Sequence, residues 1–178
     1  MHKTKPAAYV LAVVSLGLVS CRVPARSPGA LEPGSLPARG RTPGATMAVS
    51  KDDVCTPGYT KKVRSVPASL KRRVFAEYGV VNPPLRAYEV DHLISLELGG
   101  SNSIRNLWPQ PYSGLEWNAH VKDALEDRLH VMVCNGDIEM SAAQDAISTD
   151  WIAAYKLYFH TNAPLPKRQR QRHRKRRT

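Results

Sequence analysis

Apolar residues in this chain fall into three stretches with helical spacing, separated by shorter stretches without it. In VPASLKRRVFAEYG, Leu70, Val74 and Phe75 stand at i, i+4 and i+5, with Pro67 early and Gly79 as a stop, which predicts a helix over 67–78. Trp117, Val121, Ala124, Leu125, Leu129 and Met132 repeat at the same period and predict a second helix over 116–133, ending near Cys134-Asn135-Gly136. A third helix starts at Ser141, where Ser141 and Gln144 have capping-box spacing. Its stripe is Ala143, Ile147, Trp151, Ala154 and Tyr158. That regular period assigns the aromatics to a core, not to a base-stacking surface. Between the first two helices, Asn82-Pro83-Pro84 breaks the chain. A short strand is expected over 87–90, a tight turn over Leu98-Gly99-Gly100-Ser101-Asn102, and a returning strand over 104–108. The fold class is α+β: mostly helical, with one small β-hairpin.

The periodicity stops at both ends. Residues 22–50 mix Pro, Gly, Ser, Ala and Arg without an apolar repeat and read as a flexible tether. Ahead of them, His2, Lys3 and Lys5 precede an apolar run from Ala7 to Val19, too short to span a bilayer comfortably but suited to a secretory leader. Leu18-Val19-Ser20-Cys21 resembles the bacterial lipoprotein signal, in which small residues precede a cysteine that is lipidated and becomes the new N-terminus. The resemblance implies a lipid on Cys21 and a membrane anchor. An ordinary cleaved leader and an uncleaved anchor are the other readings. The expected organisation is a leader over 1–21, a tether over 22–50, a domain over 51–160 and a basic, disordered tail over 161–178. The expected location is outside the cytoplasm, in the periplasm, the cell envelope or the medium.

Charge changes this picture little. Lys and Arg number 26 against 15 Asp and Glu, yet residues 167–178 hold eight of the basic residues and no acid, so +11 falls to +3 without them. A like-charge block of this kind usually stays solvated and attracts polyanions nonspecifically. Cysteine says more. With Cys21 consumed by lipid, Cys55 and Cys134 remain as an even pair in a compartment that permits disulfides, and a bond between them is expected. Two buried thiols are the alternative; zinc is disfavoured because neither cysteine belongs to a CxxC pair.

The candidate chemistry sits in YEVDHLISLELGGSNSIRNLWPQ, from Tyr88 to Gln110. An Asp at a strand end can ligate a divalent metal, while the next residue, His92, points to the other side of the pleat and can act as a base near neutral pH. The following helix bears Asn118, His120 and Lys122 in its first turns, so strand, loop, strand and helix can converge on one metal.

These residues carry a resemblance. D-H-L-I-x-L-E-L-G-G-S-N-x-I-x-N-L-W resembles the HNH endonuclease family, closely over Glu89–Leu107 and more loosely through Lys122. It implies a ββα-metal motif that hydrolyses phosphodiester bonds, with His92 activating the attacking water, Asp91 binding metal and Asn106 bracing the loop. His120 becomes the helix ligand, with Asn118 as the alternative. One Mg2+, Mn2+, Zn2+ or Ni2+ ion is the implied cofactor. The segment WPQPYSGLE departs from the family pattern by its length and lacks the cysteine pairs that bind structural zinc in many relatives. Lys122, Arg105, Lys71 and Arg72 are candidate phosphate contacts, as are Lys61, Lys62, Arg64 and Arg73. Glu97 and Glu126 read as structural charges, either of which could hold Lys122. The expected protein is a monomeric exported nuclease of weak sequence selectivity, with DNA favoured over RNA. The competing expectation is a noncatalytic envelope lipoprotein that keeps the scaffold for metal or polyanion binding.

Overall fold

The computed structural model describes Met1 and residues 34–167. The expected leader with Cys21, and the tail beyond Lys167, lie outside the described residues. The described residues form an α+β fold of five helices and one two-stranded antiparallel sheet. In chain order these are α1 (Lys51–Cys55), α2 (Tyr59–Val63), α3 (Ala68–Glu77), β1 (Tyr88–His92), β2 (Leu107–Pro111), α4 (Ala119–Asn135) and α5 (Met140–Phe159). Among the described residues no helix is long and apolar enough to cross a membrane.

The main core lies between α4 and α5. Val121, Leu125, Leu129 and Val133 of α4 meet Ala143, Ile147, Trp151, Ala154 and Tyr155 of α5, with Ile94 and Leu98 from the loop after β1. Each fully buried Leu contributes roughly 1.5–3 kcal/mol by leaving water. Helix α4 ends at Gly136, whose φ of +79° suits a residue without Cβ.

Helix α5 departs from expectation in two places. It begins one residue earlier than Ser141, with Glu139 as a cap that makes no side-chain bond, and the Gln144 amide instead donates to Leu98 O at 2.7 Å. At Asp150 the backbone leaves the helical region (φ −161°, ψ 97°), and the Asp150 carboxylate accepts from the amides of Ile152 and Ala153, restarting the helix as an N-cap does. Past that break Tyr155 is fully buried and Tyr158 only partly so.

The expected hairpin turn is also longer than read. Residues 104–106 form a 3-10 turn, not strand, and β2 starts at Leu107; a second 3-10 turn covers Leu96–Leu98. Residues 35–50, read as part of a flexible tether, are packed. Gly44 N donates to Arg105 O, Met47 N to Gly99 O, and Thr46 bridges to Gly100. Thr42 is fully buried, its hydroxyl bonded to Leu107 O and the Tyr78 hydroxyl, and Trp151 Nε1 donates to Ser35 O. Most of these bonds use backbone atoms, which a Pro- and Gly-rich composition does not reveal.

At the far end of the fold a disulfide joins Cys55 to Cys134, the pair expected once Cys21 is set aside. It closes a separation of 79 residues and links α1 to α4. A disulfide is consistent with an oxidising compartment.

Candidate functional site

Strand pairing sets the site. Glu89 stands opposite Gln110, Asp91 opposite Trp108, and His92 opposite Leu107. The ladder uses the even residues of β2: Leu93 N donates to Asn106 O and Tyr112 N to Ala87 O. Pro109 and Pro111 therefore direct their missing N–H groups away from β1, as an edge strand allows. Because side chains alternate along a strand, Glu89 and Asp91 share one face of β1 and His92 takes the other.

His92 is buried and held by an asparagine. Its Nε2 lies 3.1 Å from Asn102 Oδ1. The Asn102 amide is oriented by two backbone groups, since Oδ1 accepts from Ser65 N at 3.1 Å and Nδ2 donates to Val63 O at 2.9 Å. Oδ1 can only accept, so Nε2 carries the imidazole proton and Nδ1 carries the lone pair. Burial pushes the imidazole below its ordinary value and nearby Arg64 adds to this, against the opposing pull of Asn102 and Asp91. His92 is therefore neutral at pH 7, as a general base must be.

The loop after His92 is pinned by Asn106, which is fully buried. Its Oδ1 accepts from Ile94 N at 3.0 Å and Ala45 N at 3.4 Å, while Nδ2 donates to Ile94 O and Ser101 O, both at 2.9 Å. One side chain thus fixes three segments at once. The Gly-Gly pair serves the same loop: Gly99 has φ +77°, and a Cβ at Gly100 would overlap the Ile94 carbonyl.

The Asp91 face differs from expectation at Lys122. Read as a phosphate contact, Lys122 is fully buried, and its ammonium donates to Asp91 Oδ2 at 2.7 Å, to His92 O at 2.7 Å and to Glu126. It has no surface left for nucleic acid. Burial alone would lower the Lys122 value, but the charges of Asp91 and Glu126 outweigh it and keep the ammonium charged. One ammonium between two carboxylates leaves negative charge in excess, so burial, with Asp91 and Asp123 nearby, holds Glu126 well above the usual carboxylate range. Glu89 is pushed up to about 7 by burial and by Asp91, although a hydrogen bond from Tyr112 opposes the shift. Opposite Glu89, Gln110 is fully buried with neither amide atom hydrogen-bonded.

The other expected residues are more scattered. His120 is exposed on the first turn of α4, its Nδ1 3.9 Å from Asp123 Oδ2 and its ring 5.6 Å from that of Tyr112. Asn118 precedes α4 without capping it; Nδ2 donates to Leu115 O at 2.8 Å and Oδ1 is buried without a partner. Arg105, Lys71 and Arg72 are exposed. Among the described residues, the three metal-capable side chains whose ligand atoms lie within 4.8 Å of one another are Cys55, His130 and Cys134. That group could hold a metal ion, although its cysteines are bonded to each other here. Asp91, His92 and His120 do not form such a group.

Asn102, Glu89 and Gln110 went unassigned at the level of sequence. Asn102 had a signal, as the polar residue closing the Gly-Gly turn. Lys122 also had one: it stands three and seven residues before Leu125 and Leu129, on the buried stripe, with Glu126 four residues on. No family model matches this chain, and no curated protein or solved structure matches it either.

Proposed function

We propose that this protein is an exported, metal-dependent endonuclease of the HNH type that hydrolyses phosphodiester bonds, DNA in preference to RNA, with weak sequence selectivity. The observation that carries the reading is His92: buried beside Asp91, neutral, and fixed by Asn102 in the tautomer that leaves Nδ1 able to take a proton.

In this mechanism His92 Nδ1 would accept the proton of the water that attacks phosphorus, which requires water to reach a ring that is 1 % exposed. Asn102 holds the ring and Asn106 holds the loop that follows it. Exposed Arg64, Lys71, Arg72 and Arg105 offer charge to the backbone phosphates. On the Asp91 face carboxylates outnumber the one ammonium among them, a charge excess that favours a hard divalent cation, but among the described residues no three of their ligand atoms converge as they stand. Asp91 would hold the ion with His120 or Asn118 from the start of α4. Mg2+, Mn2+, Zn2+ or Ni2+ bound there supplies Lewis-acid charge to the phosphate and leaving oxygen.

Lys122 supports a second reading. Its ammonium already meets Asp91 and Glu126, as a fixed internal cation would in a noncatalytic scaffold. Plasmid nicking separates the two, using oxidised protein without the expected leader, each metal in turn, an EDTA control and His92→Ala. The nuclease reading expects metal-dependent cutting that falls at least about 100-fold in His92→Ala. Folded, metal-loaded protein that leaves both DNA and RNA intact establishes the scaffold instead.

A further inference from the structure

Away from the hairpin, the last turns of α4 place a third ligand against the disulfide. Cys134 follows His130 by four residues, so both lie on one helix face, and α1 brings Cys55 to the same point. One ligand atom from each of the three lies within 4.8 Å of the others. The His130 ring is held at both nitrogens. Nε2 is 3.0 Å from the Val54 carbonyl oxygen, and Nδ1 is 3.5 Å from Glu97 Oε2. A carbonyl can only accept, so Nε2 carries a proton. Nδ1 then faces a carboxylate across a gap that either a proton or a metal ion can bridge.

We propose that reduction of Cys55–Cys134 turns this staple into a second metal site, for a thiophilic divalent ion of the zinc class, with two thiolates and His130 Nδ1 as ligands. Water takes the fourth position, because Glu97 Oε2, 3.5 Å from His130 Nδ1, does not lie within 4.8 Å of both sulfurs as well. This inference does not rest on the nuclease reading.

The chemistry balances. A dithiol reductant gives two electrons to the disulfide and closes to its own disulfide, leaving two cysteine thiols. Metal binding forms two bonds to sulfur and one to nitrogen, and releases both thiol protons to solvent. The Cα–Cα separation of 5.7 Å is compatible with a bridging ion whose bonds to sulfur are about 2.3 Å. The ion, like the disulfide, would tie α1 to α4. Two sulfurs and an imidazole select zinc or cadmium over magnesium, so this site differs in taste from the carboxylates near Asp91.

The test uses the full chain, oxidised or reduced, titrated with Cd2+ and then with Zn2+ in competition. With Cys21→Ser removing the third thiol of the chain, thiolate-to-cadmium charge-transfer absorption in the ultraviolet reports this site alone, since the Asp91 face holds no sulfur. Reduced protein is expected to bind one ion with that absorption, oxidised protein to show none, and His130→Ala to bind at least about tenfold more weakly. Near-ultraviolet circular dichroism covers the case in which the reduced, metal-free chain unfolds: Zn2+ should then restore the native spectrum of the wild type but not of His130→Ala. Absent charge transfer in reduced protein, equal affinity in His130→Ala, or failure of Zn2+ to restore a lost fold would each overturn the proposal.

Discussion

The two ends of α4 are held by opposite means. Toward its C-terminus, Leu129 and Val133 are fully buried in the apolar core and Cys134 is bonded to α1. Toward its N-terminus, Lys122 is equally buried but is surrounded by Asp91, Glu126 and the His92 carbonyl. Apolar packing needs only volume and shape, whereas a buried ion pair must recover the loss of water from every charge it contains. The N-terminal end therefore adds little net stability while fixing where β1 and its carboxylates stand. The C-terminal end supplies the stability that lets such a cluster exist.

The largest expected effect comes from breaking the polar end. Lys122→Met removes the ammonium and leaves Asp91 and Glu126 without their cation, which should destabilise the fold by about 3–5 kcal/mol in urea titrations. Adding Glu126→Leu and Asp91→Asn should return much of that loss, because no uncompensated charge remains. If the single and triple variants are equally unstable, Lys122 acts by its packing and the contrast between the ends of α4 disappears.

The opposite end should be less costly to break. Replacing both cysteines, Cys55→Ala with Cys134→Ala, releases the constraint on the unfolded chain and should cost roughly 2–4 kcal/mol. It should leave the His92–Asn102 contact intact. The check is denaturant unfolding together with the imidazole resonances of His92, which should not move. A shifted His92 signal would mean that the two ends are mechanically coupled.

Between those ends, Asn106→Ala tests the loop. It removes all four side-chain bonds of the residue and strands backbone groups of Ile94 inside the protein, for an expected cost of about 1–3 kcal/mol. Hydrogen exchange should locate the loss at residues 93–101, not in α5. Uniform loss of protection across α5 would make Asn106 a general core residue.

The same contrast explains what could be read in advance. Periodic apolar positions revealed α3, α4 and α5, because side-chain burial on a helix leaves a 3.6-residue trace. With Cys21 set aside, the two remaining cysteines gave the disulfide, whereas the role of Asn106 came only from the family resemblance. Residues 35–50 were hidden because they dock largely through backbone amides and carbonyls, and α1 and α2 because five residues cannot show a period. Lys122 misled for a different reason: Glu126 was visible as a possible partner, but Asp91, which completes the enclosure of the ammonium, lies 31 residues away. Asn102 was missed in the same way, since its links to Val63 and Ser65 cross about 40 residues of chain.

The smallest effect is also the most specific to the polar end. In metal-free protein Glu89 has a folded value of about 7 against an ordinary 4.5, so the folded state holds its proton more tightly than the unfolded chain does. The associated stability is fully present below pH 4.5 and is lost as pH rises through about 7. His92 acts in the other direction: its folded value is depressed below 6.5, so its contribution is intact above that pH and falls as pH drops below it. The two partly cancel between pH 4.5 and 6.5. Glu89→Gln removes one of them. Thermal unfolding in EDTA should show the variant at least as stable as wild type at pH 8, and losing stability more steeply than wild type as the pH is lowered from 6.5. If both proteins give the same pH profile, Glu89 ionises normally and the excess of negative charge around Lys122 does not extend to the outer end of β1.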